Sequence, residues 1–292
     1  MPAALLPSKI TSAGRRTIIQ SVGAFAALVS TSRFGFAGDA NLELGLLPNL
    51  TARVLLDQYE PVQQYLAQTV GSKVVVSSAT NWTEFYKRAA DHQFDLIVAA
   101  PHVARLMQTQ LGFKPIASLT PNVKAVLVCA KSQVSNQLDF ISGKTVVVAN
   151  PASLVAIEGE AWLAKNGLRA GEEYVSYRVK GGDSVGVMIE RGDAVAGLMA
   201  LGEFKSHAQS VKDSLRIVQQ FAELPSFVIL ADPKRTGLST NQPQHLFKDF
   251  SDSPFGKSFE QRSGSQIVAK VSEKEALAMD AYLAKIRSML NV

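Results

Sequence analysis

Apolar runs of four to eight residues alternate with longer amphipathic segments along most of the chain. The runs end at Gly, Pro, Asn or Asp and are typical of buried strands, whereas the segments between them repeat their apolar positions with the period of a helix. Strands are predicted at 42–47, 73–77, 95–99, 124–130, 146–149, 174–179, 194–199, 217–221 and 226–231. Helices are predicted at 52–70 with a bend at Pro61, and at 82–92, 101–111, 153–165, 185–191 and 273–290.

Strands and helices alternate in two successive runs, and this order predicts an α/β fold with two lobes. Each lobe is expected to contain a mainly parallel sheet with helices on both faces, because successive parallel strands need crossover helices. The chain would cross between the lobes near 123–130 and near 222–230. The first lobe is therefore predicted to comprise residues 41–125 and 226–292, and the second lobe residues 126–225.

The first forty residues have the composition of an export signal. Arg15 and Arg16 precede an apolar run that is too short to span a bilayer, and small residues then offer cleavage sites after Ala37 and Ala40. The paired arginines resemble a twin-arginine signal, although general secretory signals can also carry them. We therefore expect residues 1–40 to direct export and the mature protein to work in the periplasm of a bacterium.

The composition argues against several classes of protein. The chain is 47% hydrophobic and 19% charged, as ordinary globular proteins are. Its formal net charge is +5, but the first forty residues hold four basic and one acidic side chain, which leaves +2 for the rest. No basic stripe with interleaved aromatic residues is present, so nucleic acid is not an expected partner. Cys129 is the only cysteine and the four histidines lack metal-ligand spacing, so no disulfide, metal site or cofactor is expected.

Five short segments stand out by their order and spacing. They are 44–49 (LGLLPN), 94–101 (FDLIVAAP), 138–146 (LDFISGKTV), 191–197 (RGDAVAG) and 223–225 (ELP). Together they resemble the phosphate/phosphite/phosphonate-binding family of ABC-importer periplasmic solute-binding proteins, which have the type II periplasmic-binding-protein fold. The resemblance implies two lobes joined by two hinge strands, a solute held between them by hinge closure, and a membrane permease as partner.

The chain departs from this family at a segment that would face the ligand. Where the phosphonate binders have adjacent hydroxyl residues and a glycine, this chain has the sequence ASLV at 152–155. The resemblance therefore leaves open which solute is bound, including whether it contains phosphorus.

The candidate binding residues lie where predicted strands lead into predicted helices. Ligands of open α/β sheets bind beyond the carboxyl ends of the strands, and the unpaired amides of helix N-termini suit an oxyanion. Five loops supply the candidates: Asn49 and Thr51; Thr80, Asn81 and Trp82; Pro101 and His102; Ala152 and Ser153; and Gly182, Asp183 and Ser184. Local roles are alternatives for several of them: helix capping for Thr51, Ser153 and Asp183, packing for Trp82, and a surface or capping position for His102.

Catalytic arrangements are not recognisable in the sequence. There is no nucleophile-elbow motif, no histidine beside a motif serine, and no phosphate-cradling glycine loop.

The leading hypothesis is a monomeric periplasmic receptor that captures a small oxyanionic solute and presents it to the permease of an ABC importer. A periplasmic ligand-sensing protein that feeds a signalling partner, and an enzyme on the same fold, are alternatives.

Overall fold

Eleven strands form two separate β-sheets in the part of the chain that the computed structural model describes. This part comprises residues 41–135, 137–179, 181–235 and 243–292, without the side chains of residues 183 and 244. The predicted export signal at 1–40 lies outside the described residues. We refer to each sheet with the helices packed on it as the first and the second lobe.

The first lobe is built on a six-stranded sheet in the order β11-β4-β10-β3-β1-β2. Strands β1, β2 and β3 pair in parallel, whereas β10, β4 and β11 are added in antiparallel fashion. The strands are β1 (Leu42–Leu46), β2 (Val74–Ser77), β3 (Leu96–Ala99), β4 (Lys114–Thr120), β10 (Val228–Ala231) and β11 (Gln266–Val268).

The second lobe is built on a five-stranded sheet in the order β7-β6-β8-β5-β9. Here β6, β7 and β8 are parallel, and β5 and β9 run antiparallel to them or to each other. The strands are β5 (Val123–Ala130), β6 (Thr145–Val148), β7 (Val175–Arg178), β8 (Ala196–Ala200) and β9 (Leu215–Leu224). The chain crosses between the lobes twice, from β4 to β5 and from β9 to β10, close to the predicted crossings.

Ten α-helices flank these sheets in the described part of the chain. They are α1 (Ala52–Val70), α2 (Trp82–Ala90), α3 (Pro101–Leu111), α4 (Leu154–Lys165), α5 (Gly182–Glu190), α6 (Leu201–Ser206), α7 (Gln209–Ser214), α8 (Pro254–Ser263), α9 (Glu273–Ala278) and α10 (Leu283–Leu290). Helix α1 runs on through Pro61, and it ends at Gly71 in the left-handed conformation that glycine adopts without a steric penalty.

The central strands of both sheets are buried on both faces, which explains why they are almost continuously apolar, whereas β7 and β9 at the edges of the second sheet are largely exposed. On the first sheet, α1 and α8 pack against one face, and α2, α3 and α10 pack against the other. On the second sheet, α4 covers one face, and α5 and α7 cover the other. The predicted two-lobed α/β fold is confirmed. The parallel pairing is confined to three strands in each lobe, because the crossing segments return antiparallel.

The predicted continuous helix at 273–290 is wrong in its middle. A 3₁₀ turn at Met279–Tyr282 separates α9 from α10. In this turn Met279 joins a buried cluster with Leu154 and Leu224. The helical period was correct on either side, and the chain tightens from an α-helix to a 3₁₀ turn where Met279 packs against the second lobe.

The same turn supplies a polar contact between the lobes. The hydroxyl of Tyr282 donates a hydrogen bond to Glu158 on α4, with an O–O distance of 2.8 Å.

Strands β4 and β11, which the sequence pattern did not predict, lie at one edge of the first sheet. In the described residues we find no helix with the length and apolar character that a membrane crossing requires.

Candidate ligand-binding cleft

Two adjoining cavities lie between the lobes, where parallel strands lead into helices. The first, which we name the helix-end pocket, has a volume of about 320 Å³ and is lined by Pro48, Leu50, Thr51, Ala52, Leu55, Ser78, Ala79, Thr80, Gly181 and Ser184. The second, which we name the apolar pocket, has a volume of about 290 Å³. Leu50 and Leu55 line both cavities, so the two pockets adjoin each other at these residues.

The apolar pocket takes most of its wall from aliphatic and aromatic side chains of both lobes. Its lining residues are Asn49, Leu50, Val54, Leu55, Gln58, Tyr59, Trp82, Ala100, Pro101, Leu119, Val123, Ala149, Asn150, Ser153, Leu154, Val155, Leu198, Ala200, Gly202, Glu203, Ser206, Leu224, Pro225, Ser226, Phe227, Arg262, Ser263 and Ser265.

The helix-end pocket is formed by the starts of helices from both lobes. Thr51 is the N-cap of α1 and has an extended backbone, but its side chain makes no capping hydrogen bond. Gly181 is the N-cap of α5 and has no side chain with which to cap it. Neither N-cap residue therefore supplies a side-chain acceptor to the first turn of its own helix, and each helix N-terminus carries a partial positive charge.

Helix α2 begins differently beside the same pocket. The Asn81 side chain accepts a hydrogen bond from the Glu84 amide at 2.8 Å and so caps the helix. Ser78, which follows β2, donates its hydroxyl to the Leu46 carbonyl at 2.6 Å. Asn81 thus has a local role, and it lines neither pocket.

A carboxylate of the protein lies beside the start of α5. Glu203 accepts a hydrogen bond from the Ala200 amide at 3.0 Å, at the beginning of α6. A Cβ atom at Gly182 would lie 2.7 Å from the Glu203 carboxyl carbon, so glycine is what allows this close approach. Glu203 lines the apolar pocket, whereas Gly181 and Ser184 line the helix-end pocket.

Trp82 and Ser153 contribute to the wall of the apolar pocket from opposite lobes. Trp82 is 5% exposed, and its indole N–H donates to the Pro48 carbonyl at 3.1 Å. Ser153 caps α4 by accepting a hydrogen bond from the Ala156 amide at 3.2 Å. Packing and capping therefore coexist with a position on the pocket wall.

His102 is fully buried, so the expected surface or capping position for this residue is wrong. Its Nε2 donates to the Ala152 carbonyl of the second lobe at 2.7 Å, and its Nδ1 has no hydrogen-bond partner. Burial lowers the pKa of His102 from 6.5 to about 4, and the Ala152 hydrogen bond opposes that shift. His102 is thus a neutral tie between the lobes.

The structure distributes the predicted binding residues over three environments. Those that line the helix-end pocket are Thr51, Thr80 and Ser184. Those that line the apolar pocket are Asn49, Trp82, Pro101 and Ser153. Those that line neither pocket are Asn81, His102, Ala152 and Gly182, and the side chain of Asp183 lies outside the described residues.

The loop predicted at 181–184 is also shorter than expected. Gly182, Asp183 and Ser184 form the first turn of α5, and the N-cap is Gly181, so Asp183 is not the capping residue. The helical period alone started this helix at 185, because two glycines in succession look like a turn in a sequence.

Sequence reasoning missed several residues of the cleft, and two of them could have been found. Ser78 follows β2 directly and Glu203 lies in the first turn of the helix after β8, so the strand-end rule applied to both. Tyr59 lies in the middle of α1, Leu119 near the end of the unpredicted strand β4, and Arg262 in the distant α8, and no local signal marks them.

Residues 44–274 match the model of a family described as periplasmic substrate-binding proteins of phosphonate ABC transporters. The match extends over most of the chain, and the chain belongs to this family. It is accordingly a substrate-binding component of an ABC importer.

Solved structures share the fold at low sequence identity. PhnD1 from Prochlorococcus marinus, in complex with methylphosphonate, is 14% identical with a TM-score of 0.73, over 86% of this chain and 98% of that one. A binding protein component of an ABC phosphonate transporter from Pseudomonas aeruginosa is 11% identical with a TM-score of 0.66, over 86% and 97%. The aliphatic sulphonate binding protein SsuA from Escherichia coli is 10% identical with a TM-score of 0.56, over 85% and 92%.

Proposed function

We propose that the cleft binds a small oxyanionic solute with its anionic group in the helix-end pocket, and that the protein hands this solute to a membrane permease. The observation that carries the proposal is the meeting of two helix N-termini at one cavity, α1 of the first lobe and α5 of the second, where neither N-cap residue makes a side-chain capping hydrogen bond. Such amides suit the oxygen atoms of a phosphonate, phosphate or sulfonate.

Closure of the lobes is part of the proposal because the helix ends are too weak alone. One helix N-terminus contributes about 0.3–1 kcal/mol to anion binding when exposed and up to about 2 kcal/mol when partly buried. A micromolar affinity needs about 8 kcal/mol. We propose that residues 41–125 with 226–292 and residues 126–225 move as the two lobes about the β4–β5 and β9–β10 crossings, and exclude water from the solute.

Export and release of an unchanged solute complete the proposal. Residues 1–40 would direct a monomeric protein to the periplasm, through the twin-arginine or the general secretory route. Cell fractionation tests the proposed export: mature protein in the periplasmic fraction is expected, and full-length protein kept in the cytoplasm would contradict it.

The solute is proposed to be released unchanged. Phosphorus NMR of a phosphonate incubated with the protein should show an unaltered spectrum, and a new resonance would indicate an enzyme.

A thermal-shift screen tests the ligand class. The panel comprises inorganic phosphate, phosphite, methylphosphonate, longer phosphonates, alkanesulfonates, amino acids and neutral sugars of similar size. An oxyanion at 100 times its dissociation constant should stabilise the folded protein by about 2.7 kcal/mol, because only the folded state binds it. Stabilisation by amino acids or sugars but by no phosphorus or sulfur oxyanion would refute the proposed ligand class.

A further inference from the structure

We infer that the 3₁₀ turn at Met279–Tyr282, which we name the strap, holds the two lobes at the angle seen in the structure by binding helix α4. Tyr282 is the positioning residue, because its hydroxyl acts on the second lobe only through Glu158 of α4. Met279 and Tyr282 line neither pocket, so the strap works from outside the cleft. The inference goes beyond the proposed function and takes from it only the premise that the lobes move.

The strap is fixed to the first lobe at two points. Within the turn, Asp280 accepts two hydrogen bonds from the Arg105 guanidinium of α3, at 2.6 and 3.1 Å. This bidentate geometry restrains both the distance and the orientation of the turn. After the turn, α10 buries Ile286 and Leu290 in the core that it shares with α2 and α3. The strap therefore moves with the first lobe.

Two side chains of the strap reach the second lobe. Met279 is buried and packs with Leu154 of α4 and Leu224 of β9. The Tyr282 hydroxyl donates to the Glu158 carboxylate at 2.8 Å. Burial and the neighbouring Glu158 raise the pKa of Tyr282 to about 12, so the hydroxyl keeps its proton and stays a donor. Because residues four apart lie on the same face of a helix, Leu154 and Glu158 present one face of α4 to the strap.

His102 extends this contact towards the start of α4. Its Nε2 donates to the Ala152 carbonyl at 2.7 Å, and its ring packs edge to face with that of Tyr282 at a centroid separation of 6.4 Å. Helix α3 and the strap thus hold one short segment of the second lobe at Ala152, Leu154 and Glu158. A rotation of the second lobe about the two crossings has to break or stretch these contacts.

The Tyr282 hydrogen bond is strong enough to determine which angle is preferred. A hydrogen bond to a charged group, made at a partly exposed position, is sufficient to shift the ratio of two conformations by about five- to tenfold. Loss of the Tyr282 hydroxyl should therefore raise the population of other inter-lobe angles about fivefold.

Electron spin resonance distances between two labels, one on each lobe, test the strap in protein without added solute. Lys87→Cys on α2 and Glu190→Cys on α5 place the labels at exposed positions. Cys129, the only native cysteine, is buried and does not compete for the label. Tyr282→Phe removes the hydroxyl alone, so the share of distances outside the main peak of the parent should rise about fivefold. An unchanged distance distribution would overturn the inference.

Tyr86→Phe is the matched control. The Tyr86 hydroxyl bonds to the Gln110 side chain at 2.6 Å within the first lobe, so this variant also loses a tyrosine hydrogen bond but none between the lobes. Its distance distribution should match that of the parent. The same broadening in Tyr86→Phe would show that any lost hydroxyl loosens the protein, and it would refute the role of the strap.

Two substitutions of Glu158 test the other side of the bond. Glu158→Gln keeps an acceptor for the Tyr282 hydroxyl and should keep a narrow distribution, whereas Glu158→Leu should broaden it as Tyr282→Phe does. A narrow distribution in Glu158→Leu would contradict the inference. The thermal-shift screen decides the ligand class and the label distances decide the strap, so each proposal can fail without the other.

Discussion

The helix-end pocket and the apolar pocket lie side by side in one cleft, yet they are built from different parts of the chain. The helix-end pocket is lined by residues at the starts of α1 and α5, whose N-cap residues make no side-chain capping hydrogen bond. The apolar pocket depends on side chains from strands and helix middles, such as Leu119, Tyr59 and Leu198. The first pocket can recognise charge, and the second can recognise shape and apolar area.

This difference separates affinity for an anion from selectivity among anions. Main-chain amides cannot be replaced by substitution, so the helix-end pocket should tolerate many sequences. The walls of the apolar pocket change with every substitution. The phosphonate- and sulphonate-binding structures share the fold of this chain at 14% and 10% sequence identity.

The largest expected effect comes from a negative charge in the helix-end pocket. In Thr51→Asp the new carboxylate would compete for the α1 amides and repel the oxyanion. At 4 Å and an effective dielectric constant of 20 the repulsion is about 4 kcal/mol, which corresponds to a loss of affinity of about a thousandfold. Thermal stability should stay the same or rise, because aspartate is a good N-cap.

Ser253→Asp is the matched control for that charge. Ser253 is the N-cap of α8 and lines neither pocket. Titration calorimetry should give unchanged ligand affinity in this variant. If the Thr51→Asp variant binds phosphonates as tightly as the parent protein does, the anionic group of the ligand lies elsewhere in the cleft.

The next effect concerns the tie between the lobes beside the apolar pocket. His102 is held neutral with a pKa of about 4 in the folded state, against 6.5 in an unfolded chain. Because the folded-state pKa of this base is the lower one, the unfolded state takes up the proton first as the pH falls. Stability should therefore decline between pH 6.5 and pH 4 by about 3 kcal/mol from this residue and level off below that range.

His102→Gln isolates this contribution, because a glutamine amide can still donate to the Ala152 carbonyl but does not titrate. Urea unfolding of the parent and the variant at several pH values is the measurement. The difference in unfolding free energy between the two proteins should shift by about 3 kcal/mol across the range in favour of the variant at low pH. Parallel pH profiles would show that His102 is not held neutral by burial.

The smallest effect compares two helix caps, one on the wall of the apolar pocket and one outside both pockets. Ser153→Ala and Asn81→Ala each remove a side-chain cap, so each should cost about 1 kcal/mol of stability. Only Ser153→Ala should also weaken ligand binding, by a few-fold, since Ser153 borders the apolar pocket. If Asn81→Ala loses as much ligand affinity as Ser153→Ala, the loss comes from the lower stability of the protein and not from a contact in the apolar pocket.

Local sequence patterns predicted most of the elements and about half of the proposed binding residues. Thr51, Ser153 and Pro101 were found because strand ends and helix starts have recognisable residues, and their positions hold in the structure. The patterns failed at β4, β11 and the turn at Met279–Tyr282, where pairing or packing with distant residues overrides local preference. The buried position of His102 was missed for the same reason, because none of its neighbours in the sequence indicates that it bonds to Ala152.

The order of strands and helices, the starts of the helices and the apolar strands were written in the sequence itself, because each depends on neighbours within a few residues. The division of the cleft into one pocket lined by helix starts and one lined mainly by apolar side chains was decided by the tertiary structure. Leu119, Leu198 and Tyr59 become one surface only when two sheets come together. Contacts between residues far apart in the chain leave no periodic signal, and they determine here which part of a ligand each pocket can accept.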